Sequence, residues 1–252
     1  MTWFDHGEAR VYYEESGAGD PVLLLPGWGG TIDEFAQLRE ALSPRFRVIA
    51  ADVPGSGKSG PQPRTYTPSY YRDDATVFLA MLDEIGASPA HLVGFSDGGE
   101  YELLMAALQP NAIRSVVAWG SAGALPNAPA LTEAFSSLVD EPIPPLADFS
   151  AYMKAAYGEA NARVMAQTLA SSLRAIMDAG GDISRSRAAT ISGPVLLITG
   201  EHDFLATPAL VSTMAQAIPN GQFLEAKGAG HGVHHDQPEW LTETVVGWLS
   251  EH

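Results

Sequence analysis

His91-Leu92-Val93-Gly94-Phe95-Ser96-Asp97-Gly98-Gly99 runs from an apolar stretch of strand length through a glycine-flanked serine into a helical pattern. A buried strand that turns at once into a helix leaves room only for small neighbours at the turn. Glycine at 94 and at 98, two residues to either side of Ser96, meets that demand, because side chains there would collide with the adjoining strand and helix. The same sharp turn pushes the Ser96 hydroxyl into the open. So short a pattern is weak alone and gains weight from its place between strand and helix, where the helix amino terminus offers unpaired N–H groups and positive potential.

Working outward, further short apolar runs are each closed by turn residues: 22–25 before Pro26-Gly27, 48–51 before Asp52, then 115–119 and 195–199. They read as buried parallel strands, with flanking strands at 11–14 and 222–225. Helical patterns lie between them at 34–42, 72–85, 98–108 and 208–218. A closing helix is expected over 238–250, with Asp236 as its cap, Pro238 in its first turn and Glu239 completing a capping box. This alternation predicts an α/β fold, a mostly parallel central sheet flanked by helices. The rhythm breaks between Ala122 and Ser192, where prolines punctuate helical stretches at 131–139, 149–157 and 161–179. The expected division is a core formed by 1–121 and 193–252, and an inserted helical cap over 122–192 that either roofs a pocket or only adds a packing layer.

A serine hydroxyl is a poor nucleophile until a base removes its proton, so a histidine and an orienting carboxylate should lie downstream. Asp203 follows the run 195–199 in Gly200-Glu201-His202-Asp203, and His231 follows the last strand in Gly228-Ala229-Gly230-His231-Gly232. The chain order serine, aspartate, histidine is the one this kind of elbow requires. Glu201 is an alternative acid, and His202, His234 and His235 are alternative bases. The group His231, His234, His235 and Asp236 lacks the spacing that puts two metal ligands on one helix face, and no metal or other cofactor is expected.

Acyl chemistry also needs donors for a developing oxyanion. One is the amide of Asp97, the residue after the nucleophile; the other is expected from Pro26-Gly27-Trp28-Gly29-Gly30, and the Trp28 amide is the candidate. The Asp97 side chain raises a separate question. A carboxylate about 6 Å from a forming oxyanion opposes it by nearly 3 kcal/mol at an effective dielectric of about 20. A substrate ammonium would neutralise that charge; alternatively Asp97 points away and complements the helix dipole. The stretch Asp52-Val53-Pro54-Gly55-Ser56-Gly57-Lys58-Ser59 imitates a phosphate loop but has Asp52 where the pattern needs glycine, and is read as structural.

The 252 residues suit one α/β domain with an insertion, and the absence of cysteine removes disulfides, thiolate metal sites and thiol nucleophiles. A formal charge of −16 repels phosphate backbones and anionic lipid surfaces, so neither nucleic acid nor membrane is an expected partner. The opening residues mix charges with apolar groups, unlike a signal peptide, and a cytoplasmic monomer or small homo-oligomer is expected.

Together these residues resemble the α/β-hydrolase superfamily. Leu24-Leu25-Pro26-Gly27, Gly94-Phe95-Ser96-Asp97-Gly98-Gly99 and Val117-Ala118-Trp119-Gly120 are similar to the biphenyl-hydrolase-like group, which includes valacyclovir hydrolase, an α-amino-acid ester hydrolase. Tyr157-Gly158 and Gly181-Asp182-Ile183 are similar too, whereas Phe95 stands where tryptophan is usual in that group and the remaining cap sequence differs. The resemblance implies an α/β-hydrolase fold and a carboxylic ester as small-molecule substrate, with Ser96, Asp203 and His231 catalytic and Asp97 contacting a substrate α-amino group. The same machinery serves lactone or carbon–carbon bond hydrolysis, perhydrolysis, or a slow-turnover ligand receptor.

Overall fold

Leu23 and Leu25 point to one side of a strand and Val22 and Leu24 to the other, and all four are fully buried, so this strand must be covered on both faces. The computed structural model describes residues 2–126 and 128–252; Met1, where the amino-terminal reading begins, and Asn127, in the expected insertion, lie outside the described residues. In chain order the elements are β1 (Thr2–His6), β2 (Ala9–Ser16), β3 (Asp20–Leu25), α1 (Ala36–Leu42, entered through a 3-10 turn), β4 (Phe46–Ala51), α2 (Tyr70–Glu84), β5 (Ala90–Phe95), α3 (Asp97–Leu108), β6 (Ile113–Trp119), α4 (Pro129–Ser136), α5 (Ala147–Tyr157), α6 (Glu159–Asp178), β7 (Val195–Gly200), α7 (Pro208–Ala217), β8 (Gly221–Ala226), α8 (Val233–Asp236) and α9 (Pro238–Glu251).

The strands form one sheet in the order β1-β2-β4-β3-β5-β6-β7-β8, antiparallel at β1-β2-β4 and parallel elsewhere. This is an α/β-hydrolase fold. On one face Leu23, Leu92 and Val116 join Phe78 of α2, Leu103 of α3 and Val211 of α7; on the other Leu24, Val93 and Ile198 join Leu38 of α1 and Val245 of α9. Each fully buried leucine contributes about 2 kcal/mol of transfer free energy. The chain steps from β3 outward to β4 and then back across to β5, so the carboxyl ends of β3 and β5 open side by side, with Leu25 paired to Gly94. A crevice at such a reversal of strand order is where ligands of open parallel sheets bind.

The connection from β6 to β7 carries α4, α5 and α6 and is closed at its base by backbone hydrogen bonds. Leu125 N–H donates to Gly181 O at 2.7 Å, and the Gly123 carbonyl accepts from Ile183, Ser184 and Arg185. The long helix α6 buries Met165, Leu169, Leu173 and Ile176 along one stripe.

One strand went unexpected, and one expectation needs correction. β1 is a strand that composition did not announce: only Phe4 of its five residues is buried, and its partner is reached through Gly7 at φ +58°. Asp236 does not cap the closing helix. It ends α8, and its Oδ2 accepts the Gly230 N–H at 2.7 Å, while α9 begins at Pro238 with no side-chain cap. The capping position before Pro238 falls to Gln237, so Asp236 stands one residue too early to reach the helix N–H groups and its carboxylate serves the loop before His231 instead.

Candidate active site

Ser96 stands between β5 and α3 at φ +52°, the one non-glycine residue with positive φ among those described. Such a conformation costs about 1–3 kcal/mol and persists only where its surroundings enforce it. Here the Ser96 N–H donates to Trp119 O at 2.8 Å, and the Ser96 carbonyl accepts from Glu100 N–H at 3.0 Å and from Ser121 Oγ at 2.7 Å. The flanking glycines are sterically required. A Cβ at Gly98 would fall on the Leu25 carbonyl oxygen and lie 2.6 Å from Pro26 O; one at Gly94 would lie 2.7 Å from the Gly98 carbonyl carbon. Backbone oxygens cannot swing aside as side-chain ends do. Gly98→Ala is therefore expected to cost about 1–3 kcal/mol of stability and most of the activity, checked by denaturant unfolding and ester turnover; a wild-type unfolding midpoint would refute this steric account.

The chain brings three distant side chains into line. His231 Nε2 is 3.0 Å from Ser96 Oγ, and His231 Nδ1 is 2.9 Å from Asp203 Oδ2. Asp203 follows β7, is buried, and its second oxygen accepts the N–H groups of Leu205 at 2.8 Å and Ala206 at 2.9 Å. An ionised carboxylate only accepts, so Nδ1 carries the imidazole proton and the Nε2 lone pair faces the serine. Gly120 lies against the ring: a Cβ there would be 2.8 Å from His231 Cε1. Glu201, the alternative acid, is turned outward, accepting Gly228 N–H at 3.0 Å and pairing with Lys227 at 3.6 Å. His234 is half-buried, accepts the Trp119 indole N–H at 3.0 Å, and desolvation of its ring lowers its pKa. Among the described residues no group of three or more such side chains is arranged to hold a metal ion.

The oxyanion candidates are the amides of Trp28 and Asp97. Neither the Trp28 nor the Asp97 amide has an acceptor among the described residues. The loop carrying Trp28 passes close to the nucleophile, since a Cβ on Gly27 would be 3.2 Å from Ser96 Cβ. Asp52 accepts Ile32 N–H at 2.9 Å and Lys58 N–H at 2.8 Å, tying the phosphate-loop imitation to the base of this loop.

Above the serine is a cavity of about 720 Å³, lined by Ser96, His231, Trp28 and Asp97 from the strand ends and by Phe149 and Leu169 from the β6–β7 helices. Asp97 faces it. Its carboxylate accepts the Tyr71 hydroxyl at 2.9 Å and the Tyr70 hydroxyl at 3.2 Å. Burial pushes its pKa up to about 6, with the two tyrosine hydroxyls pulling the other way. Glu34, Glu100, Asp148 and Asp236 also line the cavity, and no lysine or arginine does among the described residues. Burial pushes Glu100 up to about 7, against the N–H groups of Ala122 and Gly123 that its carboxylate accepts. Sequence reading missed Tyr70, Tyr71, Glu34 and Glu100, whose roles depend on which helix faces which loop end.

Residues 22–244 match the alpha/beta hydrolase family model. RutD of Azorhizobium caulinodans, which carries a carbamate-hydrolase name, is 28% identical over 100% of this chain and 99% of its own length. The human serine hydrolase BPHL is 34% identical over 44% of this chain and 40% of its own. The enol-lactonase of Burkholderia xenovorans LB400 superposes with a TM-score of 0.78 at 25% identity, over 99% of this chain and 100% of the other. No helix of the described residues is long and apolar enough to cross a membrane.

Proposed function

The chain belongs to the alpha/beta hydrolase family, and on that premise we propose that it is a serine hydrolase of carboxylic esters whose preferred substrates carry an α-ammonium group. The observation that carries the reading is the continuous line Asp203–His231–Ser96, at 2.9 and 3.0 Å, ending on a serine held at positive φ beside two unpaired amides.

His231 Nε2 takes the Ser96 proton as Oγ attacks the ester carbonyl. The carbonyl oxygen, now negative, is held by the Trp28 and Asp97 N–H groups, each contributing about 3–4 kcal/mol in the transition state. The imidazolium, steadied by Asp203, gives its proton to the departing alkoxide. Water then repeats the sequence on the acyl-enzyme and releases the acid and free Ser96. Segment 122–192 acts as a cap over the cavity, with Phe149 and Leu169 excluding water from the acyl group. The small-molecule names of relatives, a carbamate hydrolase and an enol-lactonase, support acyl-type substrates without choosing among them.

Asp97 supports the choice of an aminoacyl group, because a buried carboxylate beside the oxyanion opposes the reaction unless a cation meets it. The test compares valine esters with their N-acetylated counterparts. Charge-assisted hydrogen bonding predicts a preference in kcat/KM of about 10- to 100-fold for the free amine, abolished in Asp97→Asn. The pH dependence has a definite sign. With the free carboxyl at about 6, protonation below that value removes the attraction, so the preference rises as pH climbs from 5 to 7, by about tenfold. Both esters use the same catalytic groups, so effects of pH on the acyl-transfer machinery cancel in the ratio. Equal specificity constants across this range would remove Asp97 from substrate recognition while leaving acyl transfer standing.

A further inference from the structure

In Gly27-Trp28-Gly29-Gly30 the Trp28 indole is anchored by its N–H to the Tyr66 hydroxyl at 2.8 Å. That bond does not set the planes of the loop's peptide groups, and the three glycines have no side chains to do so. The peptide planes are fixed by hydrogen bonds. Gly30 N–H donates to Gly27 O at 3.0 Å, closing a turn with Gly29 at φ +74°. The Gly29 carbonyl receives two hydroxyls from α5, Tyr152 at 2.9 Å and Tyr157 at 2.8 Å. Tyr157 is buried and is itself fixed, its oxygen accepting the Gly57 N–H at 2.9 Å. The sulfur of Met153, on the same helix, packs where a Gly29 Cβ would stand, 2.5 Å from that position.

We propose that Tyr152 and Tyr157 are positioning residues for the oxyanion hole, setting the Trp28 N–H through two planar peptide groups in series. The inference rests on the acyl-transfer reading above. A trans peptide is flat, with its C=O and N–H on opposite sides. Two hydroxyls on the Gly29 oxygen therefore fix the plane of the 29–30 peptide and so the direction of Gly30 N–H. That N–H holds Gly27 O, which fixes the plane of the 27–28 peptide and aims Trp28 N–H away from the turn. Hydrogen bonds in such a chain also polarise one another, making the terminal N–H a stronger donor. Because both tyrosines belong to α5, whose Asp148, Phe149 and Tyr152 line the cavity, the oxyanion donor is set only when this helix is seated over the serine.

The test uses Tyr152→Phe, Tyr157→Phe and the double variant, each keeping its ring. Removing one oxyanion donor outright lowers kcat by about 10²–10³-fold. A donor present but loosened should lose less: about 30-fold in kcat for the double variant and about threefold for Tyr152→Phe, with KM within twofold. The separating readout is inhibitor affinity. A trifluoromethyl ketone forms a Ser96 hemiketal whose oxygen occupies the oxyanion site, whereas the matching amide fills the cavity without that charge. The double variant should lose affinity for the ketone in parallel with kcat and keep its affinity for the amide. If the double variant does not fold, Tyr152→Phe carries the same comparison, since its loss strands no second buried group as loss of the Tyr157 hydroxyl strands Gly57 N–H. Ketone affinity and kcat both at wild-type level would overturn the inference, as would equal losses for ketone and amide, which mark a merely structural role. A wild-type protein that forms no Ser96 hemiketal would overturn the acyl-transfer reading, and this inference with it.

Discussion

Ser96→Ala should lower kcat by about six orders of magnitude on any ester the protein turns over, with KM little changed. Removing the nucleophile of a serine–histidine pair costs about as much as removing the whole constellation, because the remaining members have nothing to activate. Six decades correspond to about 8 kcal/mol of lost transition-state stabilisation. The change is conformationally mild. Alanine meets the same strain at φ +52° as serine, and the backbone bonds to Trp119 and Ser121 do not involve the hydroxyl. The cavity keeps its shape and loses one oxygen, so substrate affinity should persist while turnover disappears. Stopped-flow measurement with a chromogenic ester gives a second readout: an acyl-enzyme releases a burst of leaving group stoichiometric with protein, and the variant should show none. Turnover within tenfold of wild type would end the case for Ser96 as nucleophile.

What the sequence made legible and what it hid divide along a physical line. Strands β3 to β7 are apolar on both faces, so they announce themselves as uninterrupted runs, and each of their expected ends lies within two residues of the observed one. That Ser96, Asp203 and His231 would meet was legible because each follows a strand's carboxyl end among glycines or short loop residues, a local signature that survives without knowledge of what packs across from it. β1 was hidden because a sheet-edge strand with one buried residue carries almost no hydrophobic pattern. Asp236 was misread because its local grammar fits a helix cap, while the loop it serves, at Gly230, becomes adjacent only through the turn of α8. Tyr70 and Tyr71 fall just before the expected helix over 72–85, and nothing in their spacing reveals that both open the helix and bring their hydroxyls to the Asp97 carboxylate. Tyr152 and Tyr157 are further still from legibility, reaching a loop more than a hundred residues earlier through the seating of α5.

Asp203→Asn should cost about four orders of magnitude in kcat, more than loss of one hydrogen bond explains. The reason lies in the other oxygen. Asp203 Oδ1 accepts two N–H groups, from Leu205 and Ala206, and only an oxygen can take that place. An asparagine at 203 has a single carbonyl oxygen, so these donors claim it and turn the amide NH2 toward His231. Facing a donor, Nδ1 must give up its proton and accept, and the proton moves to Nε2, the nitrogen 3.0 Å from Ser96 Oγ. The ring is then held in place with the wrong nitrogen protonated, unable to take the serine proton; a tautomer locked in this way lowers turnover by about 10⁴ elsewhere among serine–histidine–aspartate enzymes. Stability should change far less than activity, since the asparagine keeps the loop contacts to Leu205 and Ala206. Glu201→Gln is the control, because its carboxylate faces Gly228 and Lys227 instead of the ring, and its activity should stay within twofold of wild type. Full activity in Asp203→Asn together with a four-decade loss in Glu201→Gln would reassign the acid and break the line of side chains on which the proposed chemistry stands.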